Sequence, residues 1–164
     1  DECNVTTQEA VLTFPVNILD QECDDSVDDG WMSYFDNKIG CENVSLFSTM
    51  EGGFQQLHLD LPELLGSVQQ NEPITLSLSD STAELSLQFG QDLDQFACTG
   101  QSEQSSNISL EYIAISGTVT VIIQNGFDQG YDVSATVQDV IMQGSDGCSL
   151  SLDEYSWDLV SISQ

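Results

Sequence analysis

Asp24, Asp25, Asp28 and Asp29 crowd into six residues, and carboxylates at that density suit one kind of chemistry, the holding of a hard cation. The stretch runs Asp20-Gln21-Glu22-Cys23-Asp24-Asp25-Ser26-Val27-Asp28-Asp29-Gly30, and Ca2+ is the ion its oxygens would fit. The spacing is not that of an EF-hand. Counted from Asp25, the third position is Val27, which offers no side-chain ligand, and the twelfth is Asp36 rather than Glu. The competing reading is a solvated acidic loop in a chain where acids are everywhere. Asp92 with Asp94, Asp128 with Asp132, and Asp146 are further candidate ligands, each near a glycine or a turn.

Catalytic chemistry has less to work with. His58 is the only imidazole, and it sits on the polar phase between Leu57 and Leu59. Without a Ser in a G-x-S-x-G turn it reads as a surface or interface histidine rather than part of a triad. Two carboxylates at a set separation can hydrolyse a glycosidic bond. Among 28 Asp and Glu some pair always meets that separation, so a small glycan-active hydrolase or lyase is a distant third reading. The expectation is a protein that is not an enzyme. Trp31, Tyr34, Phe35, Tyr131, Tyr155 and Trp157 offer rings on which sugars stack. Trp31 follows Gly30 in a polar loop and is the candidate exposed ring, whereas Tyr155 and Trp157 share a core-facing phase with Leu159.

Charge excludes whole classes of partner. The formal net charge is −27, with Lys38 the single basic side chain and no Arg. Nucleic-acid binding needs clustered Lys and Arg to release counterions, and phosphoryl transfer usually needs a Lys or Arg clamp. Cations, sugars and other proteins remain. Acidic, Lys-poor composition resembles that of proteins from salt-adapted organisms, although those usually retain Arg. Mutual repulsion at this charge destabilises a compact chain, and salt or divalent cations relieve it.

Five cysteines, Cys3, Cys23, Cys41, Cys98 and Cys148, are widely spaced, with no C-x-x-C and one His, so a zinc site is not expected. Two disulfides and one spare thiol are the reading for an exported chain, and the spacing does not choose the pairs. N-glycosylation sequons at Asn4, Asn43 and Asn107 are compatible with a secreted glycoprotein. A start at Asp1 rather than Met fits a chain after signal removal, or a trimmed one. No apolar run reaches the ~18–20 residues of a membrane-spanning helix, so membrane insertion is not expected.

The elements that must position these groups are strands, because the dominant period is two. Leu12, Phe14, Val16 and Ile18 alternate with polar residues and Pro15; so do Leu57, Leu59 and Leu61, then Ile74, Leu76 and Leu78, then Ala83, Leu85, Leu87 and Phe89. Ser79-Asp80-Ser81-Thr82 between the last two runs reads as a hairpin turn. Residues 108–115 form a strand that Gly117 kinks or bulges into 118–124. Asn125-Gly126 opens a loop; Tyr131, Val133, Ala135 and Val137 alternate after it; Gly144-Ser145-Asp146-Gly147 is a turn. Leu150 and Leu152, then Tyr155, Trp157 and Leu159, make a final strand pair with a phase shift at Asp153-Glu154. Pro62-Glu63-Leu64-Leu65 starts at most one helical turn.

Those runs give about nine or ten strands in one domain spanning 1–164, and the expected fold is a disulfide-stapled, antiparallel β-sandwich, with a flattened β-barrel as the alternative. Residues 1–19 carry an N-terminal strand able to act as an edge or donor strand, and 20–43 form the acidic Cys-bearing loop. A chain with strands near both ends offers edges to neighbours. The functional expectation is a secreted, non-enzymatic structural or adhesive subunit that self-associates through those edges. The alternative is a carbohydrate-binding module with a calcium-supported loop.

Overall fold

The computed structural model describes residues 35, 37–41, 44–62, 64, 70–80, 82–95, 97–98, 108–124 and 130–162. Eight strands follow one another: β1 (Asn37–Cys41), β2 (Ser45–Thr49), β3 (Gln55–Asp60), β4 (Ile74–Ser77), β5 (Glu84–Gly90), β6 (Ile108–Gln124), β7 (Tyr131–Gly144) and β8 (Ser149–Ile162). A short 3-10 turn, Leu93–Gln95, follows β5. All pairings are antiparallel, and the order β1-β2-β3-β5-β6-β7-β8 makes one sheet, with β4 also on β6. The sheet curls into a half-barrel. Two layers of a sandwich are not what the described residues form: they give one sheet of eight strands, and the candidate strand at 12–18 lies outside them.

Period-two alternation places the core on the concave side. Leu46, Leu57, Leu59, Leu85, Leu87, Val119, Val121, Ile123, Val133, Val137 and Trp157 are all buried there. In β6 the buried residues are 112 and 114, then 119, 121 and 123; in β7 they are 131 to 137 by twos, then 140, 142 and 144. β8 switches in the same way between Leu152 and Tyr155. Each strand thus carries one extra residue at the same height. The β6–β7 register is displaced there and then recovers, since Thr118 faces Gln138 and Ala114 faces Met142. Gly117, at φ 123°, makes the kink in β6, where a Cβ would lie 2.9 Å from the Val140 Cα.

Three sequence expectations need correction. Ser79–Thr82 does not close a hairpin. β4 and β5 both pair with β6, β4 against 118–121 and β5 against 108–113, so they are one interrupted strand running along a single edge of β6. Leu78 N–H donates to the Gly117 carbonyl at 3.0 Å where the interruption begins, so the excursion sits level with the β6 kink. The final "strand pair" is one strand, β8. Leu159 leaves the core phase, being 58% exposed at φ 49°, because β8 takes a second bulge beside it and Val160 and Ile162 turn inward instead. At the Pro62 segment, Leu64 N–H donates to the Leu61 carbonyl at 3.2 Å, the i→i+3 bond of a single tight turn.

Cys41 at the end of β1 is bonded to Cys98 after the 3-10 turn, with Cα atoms 5.2 Å apart and 57 residues between them in sequence. Cys148 is also disulfide-bonded. Closing a loop of this length stabilises a fold by about 2–4 kcal/mol. Replacing Cys41 and Cys98 together by Ser is expected to lower the urea midpoint by a corresponding amount, and Gly117→Ala to cost about 1–3 kcal/mol through backbone strain and crowding on Val140. Equilibrium urea denaturation of the oxidised chain measures both; an unchanged midpoint for Gly117→Ala would remove the kink from the account.

Candidate functional site

The two ends of the curled sheet, β1 and β8, lie side by side without a hydrogen-bonded ladder between them. Side chains close this seam. Lys38 Nζ on β1 donates to the Ser156 carbonyl of β8 at 2.8 Å and stands 5.3 Å from the centre of the Tyr155 ring. That carbonyl belongs to an edge strand, so the one ammonium in the chain is spent on an edge acceptor. Gly40 presses on β8, where an added Cβ would meet Ile162 Cγ1 at 2.7 Å and Val160 Cγ1 at 2.9 Å. Beneath the seam the Tyr155 hydroxyl donates to Ser48 Oγ at 2.8 Å, and Trp157 meets the Tyr155 ring edge-on at 4.8 Å. Of the six candidate sugar-stacking rings, Phe35, Tyr131, Tyr155 and Trp157 are buried packing residues, while Trp31 and Tyr34 lie outside the described residues.

The convex face carries a second polar assembly, over β2, β3 and β5. His58 lies flat on Phe47, with centroids 4.2 Å apart and planes 5° from parallel. Its register partner on β5 is Ser86 and Asp60 is two residues on, yet His58 Nε2 is buried with no hydrogen-bond partner, so these residues do not form a proton relay. Burial holds the His58 pKa below 6.5, and the carboxylates of Asp60 and then Glu111 oppose that shift. Beside it, fully buried Gln56 donates to Thr49 Oγ1 at 3.2 Å and to the Leu93 carbonyl at 3.1 Å, tying the 3-10 turn to β3. The sequence showed His58 as a polar-phase residue but had no signal that this outer face is itself covered.

Further round, the outer face is a hydroxyl array. Register aligns Thr75, Thr120, Thr136 and Ser156 in one row across β4, β6, β7 and β8. Thr75 and Thr120 hydroxyls share a hydrogen bond of 3.0 Å, and Thr136 and Ser156 one of 2.9 Å. Ser77, Thr118, Gln138 and Glu154 form the adjacent row, with Gln138 Nε2 donating to Glu154 at 2.7 Å.

The acidic candidates separate. Asp24, Asp25, Asp28, Asp29 and Asp128 lie outside the described residues, as do Cys3, Cys23, Asn4, Asn43 and Asn107. Asp92 and Asp94 are exposed around the 3-10 turn. Asp132 accepts from the Ser161 hydroxyl at 2.6 Å. Asp146 is a turn residue: Oδ1 accepts the Cys148 N–H and Oδ2 the Tyr112 hydroxyl, both at 2.9 Å. Burial first, and then Asp146, push the Tyr112 phenol up to about 12. Among the described residues no three His, Cys, Asp or Glu side chains gather as metal ligands do, and no helix is long and apolar enough to cross a membrane.

The depressed His58 pKa has a signed consequence. Above about pH 6.5 the imidazole is neutral in both states and contributes nothing; below it the unfolded chain takes up the proton first, so stability falls until the folded-state pKa is passed. Between pH 7.5 and 5.5 the parent is expected to lose more stability than His58→Gln, measured as the difference in urea midpoint at constant ionic strength. Equal losses would show that His58 is not the group responsible.

Comparison with known proteins gives no match: no family model, no curated relative and no solved structure aligns with this chain.

Proposed function

We propose that this chain is a secreted, non-enzymatic structural or adhesive subunit that assembles by adding an extended segment of one copy to the β8 edge of the next. The supporting observation is the seam: β8 spans Ser149–Ile162, β1 only Asn37–Cys41, and the two run together without a ladder. A strand added to β8 satisfies main-chain groups that a half-barrel leaves at its rim, which is how strand addition gains affinity. Residues 10–19, with Leu12, Phe14, Val16 and Ile18 in alternation, are the segment of matching pattern. An added strand also takes the curled sheet toward the flattened barrel or two-sheet sandwich that the strand count suggests. Disulfide bonding supports an oxidising, extracellular setting.

A glycan-binding module is the second reading, and the hydroxyl rows on β4, β6, β7 and β8 favour it, because paired Ser and Thr hydroxyls both donate to and accept from a neutral sugar. The acidic run of that reading's calcium-supported loop, 20–30, lies outside the described residues, while 37–41 of the same 20–43 segment is strand β1.

Copies of charge −27 repel, so edge pairing is expected to strengthen as salt rises. Light scattering and electron microscopy on the non-reduced chain are expected to show oligomers that grow with NaCl. Deletion of residues 1–19, or Phe14→Ser with Val16→Ser, is expected to leave a monomer of 17.9 kDa or less. A parent that stays monomeric at every salt concentration removes the assembly reading, and retention on polysaccharide lost in Thr120→Val would then establish the second.

A further inference from the structure

We infer that the convex face of β6 and β7 is a docking surface for a cationic protein partner that presents aliphatic side chains. Ile113 and Ile115 on β6 and Ile141 on β7 are 52%, 51% and 46% exposed, an unusual state for three isoleucines on neighbouring strands. Register brings them together. Ile113 faces Gln143, and Ile141 lies two residues before Gln143 on the same face, opposite Ser116. Ile115 falls at the β6 irregularity between Ala114 and Ser116, next to the Ile141 position. The flanking residues are small and uncharged, Ser86 on β5 beside Ile113 and Ser151 on β8 beside Ile141.

Outside this apolar centre comes a rim of carboxylates. Glu111 stands two residues before Ile113, Glu84 two before Ser86, Asp139 two before Ile141 and Asp153 two after Ser151. Glu84, Asp139 and Asp153 are exposed, and Glu111 is held in place by the Gln88 side-chain amide at 2.8 Å. An apolar centre inside a polar rim is the anatomy of a protein–protein interface. The sign of the rim selects the occupant. The only basic residue here, Lys38, is at the seam, so no Lys or Arg of this chain neutralises the rim. A second copy would bring the same carboxylates and another −27 charges, and desolvating like charges against each other opposes binding. A partner with Lys or Arg around aliphatic side chains meets both parts of the surface. Edge assembly strengthens with salt and this contact weakens, so the two fail independently.

The test uses the full-length oxidised chain and two synthetic peptides, one alternating Lys and Ile, the other with Glu in place of every Lys. Fluorescence anisotropy at about 50 and about 300 mM NaCl, where screening differs strongly, reads the binding. The Lys peptide is expected to bind and to weaken at the higher salt, while the Glu peptide does not bind. Ile113→Thr with Ile141→Thr keeps β-branched residues on the surface and is expected to weaken the Lys peptide about tenfold, while Leu159→Asn, also exposed but outside the patch and suited to its positive φ, leaves it unchanged. Undiminished binding by the Ile double variant would reduce the effect to bulk charge and overturn the proposal. Equal binding of the Glu peptide, or a dimer that Ile113→Thr dissociates, would overturn it too, the last by naming a second copy as the occupant.

Discussion

Among the described residues one sheet carries the apolar face, and it curls far enough to bury that face on itself. The curl depends on one shared event: β6, β7 and β8 each take an extra residue at the same height and switch their buried phase there. An extra residue on one strand alone would have slipped its register against both neighbours and turned the following apolar side chains outward. Because the irregularities compensate, Tyr112 still faces Gly144 below the kink and Val121 still faces Ala135 above it. Val119, Val140 and Tyr155, on three different strands, all remain in the core. Backbone chemistry at the kink fits this. Gly117 has no Cβ to strike Val140, and Asp139 at φ 51° belongs to the small set of residue types that enter the left-handed region with little penalty.

Curling brings the ends of the sheet together, and the quality of that meeting separates a barrel from a half-barrel. A closed barrel would pair β1 with β8 along the backbone; here a single Lys38 hydrogen bond, a glycine packed on Val160 and Ile162, and the Tyr155–Ser48 bond take its place. Of these contacts only the Lys38 bond engages a main-chain group of β8, the Ser156 carbonyl. Curvature also sets what the convex side becomes. Over β2, β3 and β5 it is sealed, with Phe47 and Gln56 buried on the face opposite the core and the 3-10 turn laid across it. Over β6 and β7 it is open, and three isoleucines stand in solvent.

The strands were legible because burial on one face imposes a period of two on the chain, and Leu57-His58-Leu59 or Tyr131 to Val137 display it with no interruption. Gly117 was legible as a bulge because a glycine inside an apolar β run has few other uses. Long-range partners were not. Nothing in Ser79–Thr82 tells a hairpin from an excursion, since either needs the same turn-forming residues, and the choice is made by β6, which is long enough to pair with both flanking segments. The outward turn of Leu159 was hidden for a similar reason: the bulge beside it is non-glycine, and Ser134 on the neighbouring strand stabilises it by accepting the Leu159 N–H at 3.1 Å. The exposed isoleucines did leave a trace, because 112–115 is apolar on both phases, which reads equally as a strand buried on two faces.

Charge and curvature meet at the same height of the sheet. Asp139 and Asp153 sit on adjacent strands, between the Gln138–Glu154 and Val140–Leu152 pairs, where the phase break turns both outward. Like charges on neighbouring strands destabilise a pairing by a few tenths of a kcal/mol or more. The backbone accounts for Asp139, since few side chains suit its conformation, but not for Asp153. Curvature splays convex side chains apart, which lowers the repulsion between this pair. The exposed pair is thus a local cost set against the phase break that keeps Val140 and Leu152 in the core, and added salt screens the pair while leaving the Leu and Val interior untouched.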